Sequence, residues 1–184
     1  MVESRDGEEY VSKARLEFLF DGVFAIAMTI LVLELRVPEL QDRHSVRELV
    51  HGLLHHAATF VSYLLSFFML GVFWASHNAW YRQIQRITKG ILAVQLLQLA
   101  VAASFPFCAA LIGRYPTNQA SLAIYTGCVA AYLWAGILLW AVARRAGVLA
   151  LPPDYRRLLK RQLIGSIWIT GIFLFFLSRT LARA

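Results

Sequence analysis

The chain has 184 residues, of which 59% are hydrophobic, and its mean hydropathy is +0.58. A soluble domain is about half apolar, so this composition excludes an ordinary soluble enzyme or binding module and indicates an integral membrane protein. The formal net charge of +7 lies mainly in the segments between apolar runs. It therefore indicates attraction to anionic lipid headgroups, and no nucleic-acid partner is expected.

Five runs of about 20 apolar residues have the length that a helix needs to cross a bilayer. They are Phe18 to Val37, Ala57 to Ser76, Ile91 to Ile112, Ala120 to Val142 and Leu163 to Leu181. Because backbone polar groups in lipid must be satisfied within each helix, the runs predict an all-α membrane protein with a multi-span helical bundle. No linker is long enough for a second domain, so residues 1–184 are expected to form a single transmembrane domain.

The N-terminal segment and the basic residues predict the orientation. "MVESRDGEEYVSKAR" is acidic and polar, without the basic region that opens a signal peptide, so no removable leader is expected. Of the 18 lysines and arginines, 12 lie in segments on the side of the N-terminus and 6 on the other. The excess of positive charge predicts a cytoplasmic N-terminus in a multi-pass protein of the plasma membrane.

The first run, "FLFDGVFAIAMTILVLEL", holds the main candidate site. Ile26, Ile30 and Leu33 follow i, i+4, i+7 spacing, which places them on one stripe of a helix. The stripe has two interpretations. It faces lipid or a neighbouring helix, or identical stripes from symmetry-related chains face one another as stacked apolar rings that gate by dewetting. Spacing alone does not choose between them.

The first run and two later stretches resemble the transmembrane protein 175 family of potassium channels. In "RLEFLFDGVFAIAMTILVLEL" the residues that match the family's first-helix pattern are Arg15, Asp21, Gly22, Val23, Phe24, Ala25, Ile26, Thr29, Leu33 and Glu34. Leu19-Phe20 stands where the family has Phe-Ser before the aspartate. "FWASHNAW", with Trp74 and His77, and "SFPF", with Pro106, are also similar to family motifs.

The resemblance implies a homotetrameric, leak-type potassium channel whose pore is lined by the first helix. Ile26, Ile30 and Leu33 are the positions that match the family's constrictions. Potassium would be the permeant ion, and no cofactor is expected. The family has six spans in each repeat where hydropathy finds five, so either a last helix is missing from this sequence or the outer part of the bundle differs.

The absence of familiar motifs narrows the chemistry. The chain has no TVGYG-like filter, Gly-rich phosphate loop, HExxH motif or nucleophile elbow. A channel built from this sequence must select ions by another route, and nothing argues for an enzyme. A ring of branched apolar side chains offers a cation no ligand, so an ion that passes must thin its water shell.

Polar residues near the stripe have open roles. Thr29 lies beside it and offers its hydroxyl either to the pore or to a neighbouring helix. Arg15, Asp21 and His77 are expected near the cytoplasmic side as a polar cluster, within one chain or between chains, that fixes the angle of the first helix. The alternative for His77 is proton sensing. Asp21, His77 and Glu34 are also the proton-coupling groups of the rival interpretation, a secondary transporter, and a non-conducting scaffold is a third.

The remaining candidates are interpreted as structural. Cys108 and Cys128 fall inside apolar runs as small hydrophobes, so no disulfide and no metal site is expected. His51 and His55 have the i, i+4 spacing of a metal pair but fit the face of an interfacial helix. Asp154 is predicted to cap the last helix.

Overall fold

The computed structural model describes residues 12–150 and 155–182, and these contain six α-helices. The helices are α1 (Lys13–Ile30), α2 (Val46–His55), α3 (Ala57–Tyr81), α4 (Lys89–Arg114), α5 (Gln119–Arg145) and α6 (Tyr155–Leu181). A single 3₁₀ turn, Leu31–Glu34, continues α1. Asp154, the residue predicted to cap the last helix, lies outside the described residues.

Five of the helices are long and apolar enough to cross a membrane, as the hydropathy pattern predicts. The spans are Lys13–Glu34, Ala57–Tyr81, Lys89–Arg114, Gln119–Arg145 and Leu159–Leu181. The sixth helix, α2, has only 10 residues and is too short to span. The fold is therefore the multi-span helical bundle expected from the sequence, with five spans in the described part of the chain.

The ends of the helices follow from local side-chain chemistry. Ser12, Ser45, Thr88 and Asn118 are N-caps whose side chains accept hydrogen bonds from backbone N–H groups of the first turn. The cap at Ser12 starts α1 five residues before the apolar run. At the other end Leu35 is extended, and Pro38 follows soon after, so the first span ends three residues earlier than hydropathy indicates.

Helix α4 lies at the centre of the bundle and packs against α1, α3 and α5, while α6 packs against α5. The larger core joins Phe20 and Phe24 of α1 to Phe73 of α3, Phe105 of α4 and Tyr132 of α5. Small residues bring α3 and α4 close together at one end, where the Ser62 hydroxyl donates to the Ala109 carbonyl oxygen at 2.7 Å. Such close backbone approach is the usual basis of helix association in lipid, where apolar burial alone gives little preference.

Long-range contacts identify the two ends of the bundle. At one end, Lys13 Nζ donates to the Ile84 carbonyl oxygen at 2.7 Å, and the α3–α4 turn pairs with the α5–α6 loop through Ile84 and Leu149. At the other end, Glu34 lies 3.7 Å from the Arg114 guanidinium. The start of α1, the α3–α4 turn and the α5–α6 loop therefore share one end of the bundle, and the charge pattern predicts that this end is cytoplasmic.

This arrangement predicts the labelling pattern of two exposed loop positions. A cysteine at Thr117, in the α4–α5 turn, should react with an impermeant maleimide in intact cells. The neighbouring Asn118 is left unchanged, because its side chain caps α5 and a cysteine there would remove the cap. Gln85 bonds Val148 through its backbone N–H, so replacing the side chain leaves this bond in place. A cysteine at Gln85 should react only after permeabilisation.

The unsubstituted chain, which keeps Cys108 and Cys128, is the control for background maleimide labelling at both positions. The opposite labelling pattern, with Gln85→Cys reactive in intact cells and Thr117→Cys protected, would show that the N-terminus lies outside.

Candidate functional site

Helix α1 has one fully buried face. Leu16, Phe20, Phe24, Ala27 and Leu31 are each at most 3% exposed and pack into the bundle. Because they are spaced by three and four residues, these side chains form one continuous buried row along the helix. This face fixes α1 against the other helices and determines which of its residues remain free.

The predicted constriction residues lie off that buried face. Ile26 is 59% exposed, Ile30 is 43% exposed and Leu33 is 75% exposed. Ile26 borders an open groove with Gly22, and a Cβ atom added at Gly22 would meet nothing within 4 Å. An apolar stripe beside open space is available to lipid or to another chain.

The three residues of the stripe do not all lie on one continuous α-helix, as their i, i+4, i+7 spacing predicted. Ile26 and Ile30 are in α1, whereas Leu33 is in the 3₁₀ turn, which winds more tightly at three residues per turn. Leu33 is therefore rotated relative to its position in a continued α-helix, although it remains exposed.

Thr29 is exposed beside the stripe, and its hydroxyl donates to the Ile26 carbonyl oxygen at 2.9 Å. The hydroxyl is thus satisfied by its own helix, as is common for threonine within apolar helices. Its oxygen retains lone pairs directed away from the backbone.

Asp21 is held by an indole. Its Oδ1 atom accepts a hydrogen bond from Trp74 Nε1 of α3 at 2.8 Å, in an exposed position. Among the residues that the structure describes, no ion pair joins Asp21 to Arg15, which is exposed one to two turns earlier on α1. Within one chain, the Asp21 carboxylate therefore docks α1 on α3.

His77 lies three residues after Trp74 and is buried. Its imidazole ring stacks on Phe20 with centroids 3.6 Å apart and planes 6° from parallel. Its Nε2 atom is 3.3 Å from Gln95 Oε1 of α4, while Nδ1 has no partner among the described residues. His77 thus contacts Gln95 and Phe20, and within the described part of the chain it forms no hydrogen bond with Asp21.

Glu34 lies at the opposite end of the first span, close to Arg114 of α4. Both side chains are partly exposed, so their attraction contributes at most about 1 kcal/mol. The Glu34 side chain stays 30% exposed at this end of the stripe.

No group of three or more His, Cys, Asp or Glu side chains within residues 12–150 and 155–182 is placed to hold a metal ion. The rings of His55 and His56 lie edge to face with centroids 5.5 Å apart. His55 and His56, which directly precede α3, therefore pack with each other.

Sequence reasoning did not identify Gln95 and Gln98. Both are almost fully buried in the first half of α4, and Gln95 is the partner of His77. The signal was present, because an amide inside an apolar span is costly unless it bonds another polar group. Its partner was not predictable, because the residues of α3 that meet Gln95 depend on how the two helices rotate and pack against each other.

The fold and the apolar spans define a multi-pass membrane protein whose first helix keeps one apolar stripe exposed. Residues 15–106 match the family described as "Endosomal/lysosomal potassium channel TMEM175", half of the chain. The chain belongs to the TMEM175 family. This confirms the resemblance carried by the first-helix residues.

Relatives include proteins named for two different ions. A potassium channel of Streptomyces collinus is 30% identical over 75% of this chain and 68% of its own length. One of Chamaesiphon minutus is 32% identical over 69% of this chain and 62% of its own length. The human relative, named an endosomal/lysosomal proton channel, is 31% identical over 57% of this chain but only 22% of its own length.

A solved structure has the same fold. It is the crystal structure of a lysosomal potassium-selective channel TMEM175 homologue from Chamaesiphon minutus, 27% identical, with a TM-score of 0.67. The superposition covers 91% of this chain and 97% of that one. The similarity therefore extends over nearly the whole bundle and is not limited to the first helix.

The bond between Asp21 and Trp74 yields a prediction about stability. Trp74→Phe removes the indole donor and Asp21→Ala removes the acceptor, so each should lower the free energy of unfolding by about 1 kcal/mol. The double variant should lose little more than either single one, because both remove the same bond. Thermal unfolding followed by circular dichroism measures the losses.

Asp21→Asn separates the hydrogen bond from the charge, because the amide oxygen still accepts from the indole. If the bond to Trp74 is what matters, this variant keeps its stability. A loss equal to that of Asp21→Ala would instead indicate an ion pair with Arg15 of another chain. Trp168→Phe, on the exposed side of α6, is the matched aromatic control.

Proposed function

We propose that the chain is one channel domain, residues 1–184, of a homotetrameric, potassium-permeable leak channel with α1 lining the pore. One observation carries the proposal. In a family whose bacterial relatives are named potassium channels, the first helix buries one face completely and leaves Ile26, Ile30 and Leu33 exposed. Four copies around an axis would turn these positions into three stacked apolar rings.

Such rings favour potassium through the cost of dehydration. Branched apolar side chains give a cation nothing to replace its water, so the ion must thin its hydration shell to pass. Potassium holds its shell less tightly than sodium, and its barrier is therefore lower. No TVGYG-type carbonyl filter takes part in this mechanism.

Contacts behind α1 suit it to this role. Three contacts hold the helix from the side away from the stripe. They join Lys13 to the Ile84 carbonyl oxygen, Phe20 to the His77 ring and Asp21 to the Trp74 indole.

The proposed channel spans the plasma membrane with its N-terminus in the cytoplasm. Glu34 would then lie at the outer mouth and attract cations.

The secondary transporter is the rival function. It requires Asp21, His77 and Glu34 to pass protons, yet Asp21 and Glu34 are 13 residues apart along the first span, or about 20 Å along its axis. The residues between them on the exposed stripe are apolar, which favours an ion pathway without a continuous proton relay.

Flux from liposomes tests the proposal. Purified protein should release potassium down its gradient without any coupled substrate and release sodium more slowly, with empty liposomes as the control. Saturable, proton-linked exchange would establish the transporter, and no flux of any ion would establish a scaffold. Because relatives are named for potassium and for protons, a proton gradient is measured in the same preparation.

Ile26→Asn provides the sharpest test of the stripe. An amide at the narrow ring can stand in for part of the water shell, so the dehydration barrier that separates potassium from sodium should fall. Conductance should rise and potassium selectivity should drop, with smaller changes in the same direction for Ile30→Asn and Leu33→Asn. Reversal potentials under opposed potassium and sodium gradients measure the effect.

The matched control is Val32→Asn. Val32 is a branched apolar residue of the same span, 47% exposed but off the stripe, and this substitution should leave selectivity unchanged. Met28 is less suitable, because it packs towards Gly71 in the core. Unchanged selectivity in a correctly assembled Ile26→Asn tetramer would rule out Ile26 as a pore constriction.

A further inference from the structure

The two cysteines of the chain meet inside the bundle. Cys108 of α4 and Cys128 of α5 are 20 residues apart in sequence, and their Sγ atoms lie 2.8 Å apart. Both are free thiols. Cys108 is only 1% exposed, whereas Cys128 is partly exposed.

The contact belongs to the packed interface between α4 and α5. Cys108 lies in the core with Phe105 of its own helix and Tyr125 of α5, whose rings meet edge to face with centroids 6.0 Å apart. The Ser104 hydroxyl is 3.9 Å from Cys128 Sγ. Because neighbours on both helices hold the two thiols in place, a small approach of the sulfur atoms would reach the covalent distance of about 2.05 Å.

We propose that Cys108 and Cys128 form a redox-active dithiol site that closes to an intramolecular disulfide between α4 and α5. The sequence alone does not indicate this pairing, since each cysteine is an isolated small residue in its own apolar run. Only the packing of the two helices brings the thiols together. The two thiols lie between α4 and α5 and are not part of the exposed α1 stripe.

The oxidant must be small and uncharged to enter the bundle, and hydrogen peroxide meets both conditions. The thiol of Cys128, the more exposed residue, is oxidised first to a sulfenic acid, with release of one water. The Cys108 sulfur then attacks the Cys128 sulfur. The new S–S bond forms as the S–O bond breaks, and the oxygen leaves as a second water with the Cys108 proton. Two thiols are oxidised and one peroxide is reduced to two waters.

Closure would fasten α5 to the helix that supports α1. Phe105, one turn before Cys108, packs on Phe73, which shares its core cluster with Phe20 and Phe24 of α1. The cross-link closes a loop of about 20 residues and should therefore restrict the unfolded chain more than the folded one. Oxidation should stabilise the bundle.

Intact-mass measurement of the purified full-length protein tests the site. Protein reduced with dithiothreitol and then denatured should take up two N-ethylmaleimide groups. After treatment with hydrogen peroxide it should take up none, weigh two hydrogens less and migrate as a monomer on a non-reducing gel. Renewed reduction should restore both maleimide groups.

Cys108→Ser and Cys128→Ser are the matched controls. Each should accept one maleimide after reduction, and neither can lose two hydrogens within one chain. The melting temperature of the wild-type protein should rise by several degrees on oxidation, while that of each serine variant should not.

Three results would overturn the proposal. The first is wild-type protein that keeps both alkylatable thiols under peroxide while a soluble dithiol peptide in the same tube is oxidised. The second is a gain of oxygen without loss of hydrogen, and the third is a disulfide-linked dimer in place of the internal bond. None of these readouts depends on ion flux, so the proposed channel function stands or fails separately.

Discussion

The rotation of α1 about its own axis is the constraint on which the rest of the molecule depends. Phe20 lies flat on the His77 ring at 3.6 Å, and the neighbouring Asp21 accepts the Trp74 indole N–H at 2.8 Å. These two contacts, from adjacent residues to the same face of α3, allow only one rotation. That rotation buries Phe24 and leaves Ile26 and Ile30 outside.

Specific polar contacts matter in this bundle because the hydrophobic effect, which drives packing in water, contributes little between helices in lipid. An apolar side chain gains little by leaving lipid for the interior of a bundle, so helix pairs rely on close fit and on hydrogen bonds between side chains. Ser62 at the Ala109 carbonyl and His77 at Gln95 provide such contacts between α3 and α4. These groups join α3 to α4, the helix that also packs behind α1.

The five spans were predictable from the sequence because bilayer thickness sets a length that an apolar run either reaches or does not. The boundaries of the first span were harder to predict from the sequence. Ser12 starts α1 within polar sequence, and the 3₁₀ turn ends the span before Val37. The stripe itself was predicted from helical spacing. What it faces stays a prediction, because none of the residues that the structure describes covers Ile26, which is 59% exposed.

By itself the sequence determined the class of protein, the number of spans and the family, because hydropathy and the first-helix motif are local properties of the chain. Only the tertiary structure decided which polar groups meet. Trp74 is 53 residues from Asp21, and Cys128 is 20 residues from Cys108. No periodicity connects positions on different helices, so their contacts depend on how the helices rotate and pack.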